Sequence, residues 1–91
     1  MTATSASFKT RDGFKIAYEM HGNPASTQRV LMIHSLAMDA AYWHPVGERL
    51  AAQGVCAVAV SCRGHGDSDK PAGPYTLELF SGDMNDLLDH L

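Results

Sequence analysis

The chain has 91 residues, 45% of them apolar, and a formal charge of −3. That length holds at most one small domain, since domains commonly run to about 100–150 residues, and the apolar share excludes disorder as the starting expectation. The positive residues are scattered, so no basic face points to nucleic acid and no basic amphipathic helix points to a membrane surface.

The first seven residues are small and polar and are expected to fray. Neither a signal-peptide core nor a run of ~18 apolar residues occurs, which predicts a soluble, cytoplasmic chain with no membrane partner. Phe8 to Thr10 is predicted to be a short strand, and Arg11-Asp12-Gly13 a hairpin turn in which Gly13 takes positive φ. In Phe14 to Met20 the side chains alternate, Phe14, Ile16 and Tyr18 against Lys15, Ala17 and Glu19, which predicts a half-buried antiparallel strand. His21 to Arg29 reads as a loop, punctuated by Gly22, Asn23 and Pro24.

Val30 to Ile33 and Val55 to Val60 are unbroken apolar runs, the pattern of central parallel strands covered on both faces. Between them a helix is predicted, with Pro45 in its first turn, Val46 and Leu50 on one face and Gly54 just past its end. The last segment places Leu77, Phe80, Met84, Leu87, Leu88 and Leu91 at steps of three and four, one apolar helical face behind a Thr76 N-cap. The order is ββ, then βαβα, an α/β chain with a mostly parallel sheet that is incomplete at four strands.

In open parallel sheets, chemistry gathers at the carboxyl ends of the strands. Two segments qualify: His34-Ser35-Leu36-Ala37 and Ser61 to Ser68, the latter containing Arg63-Gly64-His65-Gly66. As a phosphate cradle the second fails, for Gly64-His65-Gly66 lacks the third glycine of a dinucleotide fingerprint and no Walker motif is present. As a metal loop, His34 and His65 with Asp67 or Asp69 lack the short-spaced histidine pair common at catalytic zinc; neither metal nor cofactor is expected. As a nucleophile, Ser35, Ser61 or Cys62 lies outside any G-x-S-x-G elbow, though Arg63 beside Cys62 is a conceivable means of lowering a thiol pKa. Cys56 and Cys62 form no Cys-x-x-Cys and are expected as reduced thiols.

The succession FKIAY, then VLMIHSLAMDAAYW, then VCAVAVSCRGHGDSDKPAGPYT resembles the N-terminal third of an α/β-hydrolase, with R-G-H-G-x-S the most specific piece. Within that family, H-S-L and the later Pro-Tyr-Thr are similar to oxoadipate enol-lactonases and related ester and carbon–carbon bond hydrolases. The resemblance implies an oxyanion donor at the Leu36 backbone N–H, with His34 and Ser35 shaping the turn and Arg63, Gly64, His65 and Gly66 bracing it. Ser35 stands where the family usually has glycine, and Ser61 where it usually has aspartate, which implies a looser loop.

The resemblance further implies that the nucleophile, acid and base follow the residues present here, and that none of the five histidines is the catalytic one. It places the third strand outside the fourth, with its free side open for the nucleophile-bearing fifth. The expected partners are therefore a complementary C-terminal hydrolase chain or a second copy, together with a small ester-like substrate. The alternative is a non-catalytic interaction module that captures a strand along that edge.

Overall fold

A computed structural model describes residues 3–91. The chain folds as β1 (Thr4–Lys9), β2 (Lys15–His21), β3 (Arg29–Ile33), a single 3₁₀ turn (Ala40–Trp43), α1 (His44–Ala52), β4 (Cys56–Val60) and α2 (Leu77–His90). The sheet order is β1-β2-β4-β3, which places β3 outside β4 as the resemblance implies. Only β3 and β4 run parallel; β1 with β2 and β2 with β4 are antiparallel, so these four strands form a mixed sheet rather than a mostly parallel one.

Local signals account for most element ends. The first hairpin closes as Thr10 N–H donates to Phe14 O at 2.9 Å and Gly13 N–H to Thr10 O at 2.9 Å, with Gly13 at φ +87. At the end of α1, Gly54 at φ +83 donates to Ala51 O and Val55 donates to Leu50 O, the two reverse bonds of a Schellman motif. Thr76 caps α2 through its hydroxyl, which accepts from Leu79 N–H at 3.1 Å.

β1 is longer than expected. Of the seven residues predicted to fray, Met1 and Thr2 lie outside the described residues, whereas Thr4–Ser7 pair with Met20–Ala17. Their side chains are exposed, so backbone pairing rather than burial sets their conformation and no apolar pattern announces them.

The two faces of β4 differ. Cys56, Val58 and Val60 join Phe8, Ile16, Tyr18, Met84 and Leu87 under α2, while Ala57 and Ala59 meet Met32, Ala40, Trp43 and Leu50 on the α1 side. Small residues there let the 3₁₀ turn and α1 approach closely. All five β4 residues are buried, as a central strand requires. The same reading fails for β3: Met32 alone is buried, and Val30 and Ile33 are 41% and 48% exposed, because β3 is an edge strand. β2, expected to be half-buried, is covered at its far end on both faces, since α1 shelters His21 beside Glu19.

The helices also bury narrower stripes than their sequences suggest. In α1 the buried residue is Gly47, and Val46 is exposed. In α2 the buried residues are Asp83, Met84 and Leu87, while Leu77 and Leu88 are exposed, as is Leu91 just past its end. The radius of gyration, 12.7 Å, is close to the ~12 Å of a compact domain of this length.

The α2 docking face yields a direct contrast. Leu87→Ala is expected to lower unfolding free energy by about 2–5 kcal/mol, and Leu88→Ala by no more than about 0.5 kcal/mol, measured by urea denaturation. Equal losses would mean that α2 docks on another face.

Candidate functional site

The carboxyl ends of β3 and β4 carry the two segments singled out in the sequence. After β3, Met38 N–H donates to Ser35 O at 3.1 Å, closing a turn whose third residue, Ala37, has φ +66. Positive φ at that position alone defines a type II turn, a conformation that costs a non-glycine residue some strain. Side chains from the β4 end hold it. His65 Nε2 accepts from the Ala37 N–H at 3.1 Å, and Ser61 Oγ accepts from the Ala40 N–H at 3.1 Å. In the other direction, His34 Nε2 accepts from the Cys62 N–H at 2.9 Å.

These bonds fix both imidazole tautomers. With each Nε2 accepting, Nδ1 carries the proton, and it donates to Ser35 O in His34 (2.7 Å) and to Arg63 O in His65 (3.0 Å). The two rings lie 4.9 Å apart, so the histidines do meet. All four of their nitrogens are nevertheless spent on backbone, which leaves no lone pair for a metal with Asp67 or Asp69. Leu36, between the pinned residues, has its side chain exposed, and no described residue accepts its N–H.

Arg63 acts elsewhere than expected. Rather than bracing the Ser35–Met38 turn, its buried guanidinium donates to both Asp83 oxygens (2.8 and 2.9 Å) on α2 and to both Asp12 oxygens (2.9 and 3.2 Å) in the hairpin turn. The Phe14 ring lies 5.1 Å beneath it. Asp83 first, with Asp12 behind it, holds the guanidinium even more firmly protonated than usual. Beside this cluster Arg11 grips Asp86 on the next turn of α2.

Gly64 and Gly66 are required by close approach. A Cβ at Gly64 would fall 2.7 Å from the Tyr75 ring, and one at Gly66 would fall 2.7 Å from Ser61 Oγ; both have positive φ. The loop is not loose despite Ser61. Ser68 Oγ donates to Ser61 O at 2.5 Å and accepts from Ala17 N–H at 2.8 Å, while Asp69 Oδ2 accepts from Lys15 N–H at 2.8 Å. Cys62 does not fit a thiolate nucleophile: burial, then the nearby Asp83, pushes its thiol pKa up, and Arg63's charge is already matched by two carboxylates. It borders an open, mostly apolar hollow of about 580 Å³ between Ile33, Leu77, Phe80 and Met84, with Glu78, Ser81 and Asn85 also on its wall.

The alpha/beta hydrolase fold profile matches residues 28–91, from the start of β3 through α2. The chain belongs to the α/β-hydrolase family. An uncharacterized protein of Mycobacterium bovis is 33% identical over 81 residues, spanning 89% of this chain and 23% of that protein. Among solved structures, the thioesterase domain from the curacin biosynthetic pathway superposes at TM-score 0.93 with 26% identity, over 100% of this chain and 34% of that one. An esterase from Exiguobacterium antarcticum gives 0.87 with 29% identity, over 96% and 31%. An epoxide hydrolase from Vigna radiata gives 0.87 with 26%, over 97% and 28%. This α/β-hydrolase chain thus spans only 23–34% of the length of these relatives.

One cluster escaped the sequence reading. Glu19, His21 and His44 gather where β2 meets the first turn of α1, at the opposite end of the sheet. The alternation in β2 sets Glu19 and His21 on one face, but His44 reaches them only through the fold.

Loss of the buried cation should be costly. Arg63→Ala is expected to lower stability by about 3–5 kcal/mol, and a paired Arg63→Met, Asp83→Leu replacement by clearly less; a double-mutant cycle checks this. The Asp12 carboxyl sits below its ordinary 3.8, held there by the Thr10 hydroxyl and then by Arg63. A carboxyl depressed in the folded state contributes stability above its unfolded pKa and loses it as pH falls through the folded value. Urea midpoints should therefore drop below about pH 4, and Asp12→Asn should flatten that drop.

Proposed function

We propose that this chain is the N-terminal portion of an α/β-hydrolase acting on ester, lactone or carbon–carbon bonds of small molecules. Its direct contribution is the Leu36 backbone N–H, an oxyanion donor. Nucleophile, acid and base are supplied by polypeptide that pairs along the free edge of β3, either continuous with this chain or separate from it. The observation that carries the reading is the Ser35–Met38 turn. Its neighbouring N–H at Ala37 is tied to His65, while the Leu36 N–H at the strand end is left to an incoming group. Such a donor acts where charge develops in the transition state, and losing one costs about 10²–10³ in kcat.

The open hollow beside Ile33, Cys62, Phe80 and Met84 supports the pairing direction, since a further strand on β3 would cover the exposed Val30 and Ile33. Esterase, thioesterase and epoxide hydrolase are what the similar structures are called, and they support bond hydrolysis as the reaction class.

The test is purification from the native source, with solution mass, identification of any associated polypeptide, and assay on p-nitrophenyl esters. Hydrolysis is expected where a G-x-S-x-G serine is present and absent from the 91-residue chain alone. In the active species, Leu36→Pro removes the donor and keeps the turn, because proline suits the second position of a type II turn, and Leu36→Ala controls for the lost side chain; kcat should fall by about 10²–10³ in the proline variant alone, with KM little changed. Unchanged kcat would overturn the oxyanion role. An associated chain without a serine elbow would favour a non-catalytic interaction module, and a self-associated chain without hydrolysis would do so as well.

A further inference from the structure

His21 is the most anomalous side chain in the fold. It is 3% exposed, yet neither ring nitrogen has a hydrogen-bond partner among the described residues. An unmet buried polar group costs about 1–3 kcal/mol, so an imidazole in this slot, rather than a leucine, needs a reason. The slot is shaped for the ring: a Cβ on Gly47 would fall 2.7 Å from His21 Cγ and Cδ2. Trp43 Nε1 is also buried and unpaired among the described residues, but as a donor only it has no lone pair to offer a cation.

Two further ligating groups surround His21. Glu19 lies on the same face of β2, and its carboxylate contacts the Nε2 of His44, the first residue of α1. One donor atom from each of the three residues falls within 4.8 Å of the others. The His21 and His44 rings stand 5.6 Å apart and steeply tilted. Beside them is an open cavity of about 270 Å³, also lined by Ser5 and Glu48. Glu48 follows His44 by one helical turn.

We propose that Glu19, His21 and His44 bind a divalent first-row transition-metal cation, which clamps β2 to the first turn of α1. Two imidazoles and a carboxylate are a three-ligand set that zinc accepts, with water in the remaining position. Nitrogen donors favour zinc, cobalt or nickel over magnesium or calcium. Ligands about 2.1 Å from a tetrahedral ion lie about 3.4 Å apart; the half-exposed His44 and partly exposed Glu19 side chains have the freedom to draw in that far. The cation would take the His21 lone pair that no described residue uses. Glu19 and Glu48 supply two negative charges against its two positive ones. The site is separate from the oxyanion turn, because His21 pairs with Ala57 at the start of β4, not at its carboxyl end.

The experiment is titration of the chelator-stripped chain with Zn²⁺ by calorimetry, in parallel with Mg²⁺ and with the visible absorption of bound Co²⁺. One Zn²⁺ per chain and a raised Tm are expected, with no response to Mg²⁺. Glu19→Gln and His44→Ala, both outside the core, should each weaken Zn²⁺ binding by about tenfold or more and remove the Co²⁺ absorption. His90→Ala should leave both unchanged. No uptake at millimolar Zn²⁺, or affinity indifferent to Glu19→Gln and His44→Ala, would overturn the proposal and leave Glu19–His44 as a plain ion pair.

Discussion

The guanidinium of Arg63 is where three separate pieces of chain are made to agree. It leaves the loop after β4, meets Asp83 on α2, meets Asp12 in the first hairpin, and rests over Phe14. Burying a cation costs several kcal/mol, so such a cluster is a poor source of net stability. What it supplies is register. One residue of slip in α2 turns Asp83 by about 100° and strands the charge, so the helix has one docking position instead of several.

With α2 and the hairpin fixed from one side of that loop, the other side is free to organise the strand ends. Ser61, His65 and His34 then act as spacers that hold backbone to backbone across the β3 and β4 termini. The histidines are neutral hydrogen-bonding struts. Their proximity suggests chemistry, but their bonding shows a scaffold that presents a turn.

The legible parts of this fold are those written in short-range chemistry. Gly13, Gly54 and Thr76 announce a turn, a helix stop and a helix start, each through one backbone requirement. The motif R-G-H-G-x-S placed the loop and the family. Less legible were features decided by neighbours in space. Asp83 sits on the inner face of α2 because a cation awaits it, which no apolar periodicity reveals. Val30 and Ile33 look like core until the sheet order makes them an edge. Thr4–Ser7 look frayed because their conformation is set by backbone pairing alone. Glu19, His21 and His44 had a partial signal in the β2 alternation, hidden by the assumption that this face was open to water.

The type II turn after β3 has an evolutionary corollary. A group that works through its main chain exerts no selection on its own side chain, since every non-proline residue presents the same amide. On the proposed oxyanion role, residue 36, which is 85% exposed, would be free to vary, whereas Ala37 in the left-handed region and the His65 strut would not. Alanine scanning would pass over it in silence, and sequence comparison would mark the supports instead of the thing supported.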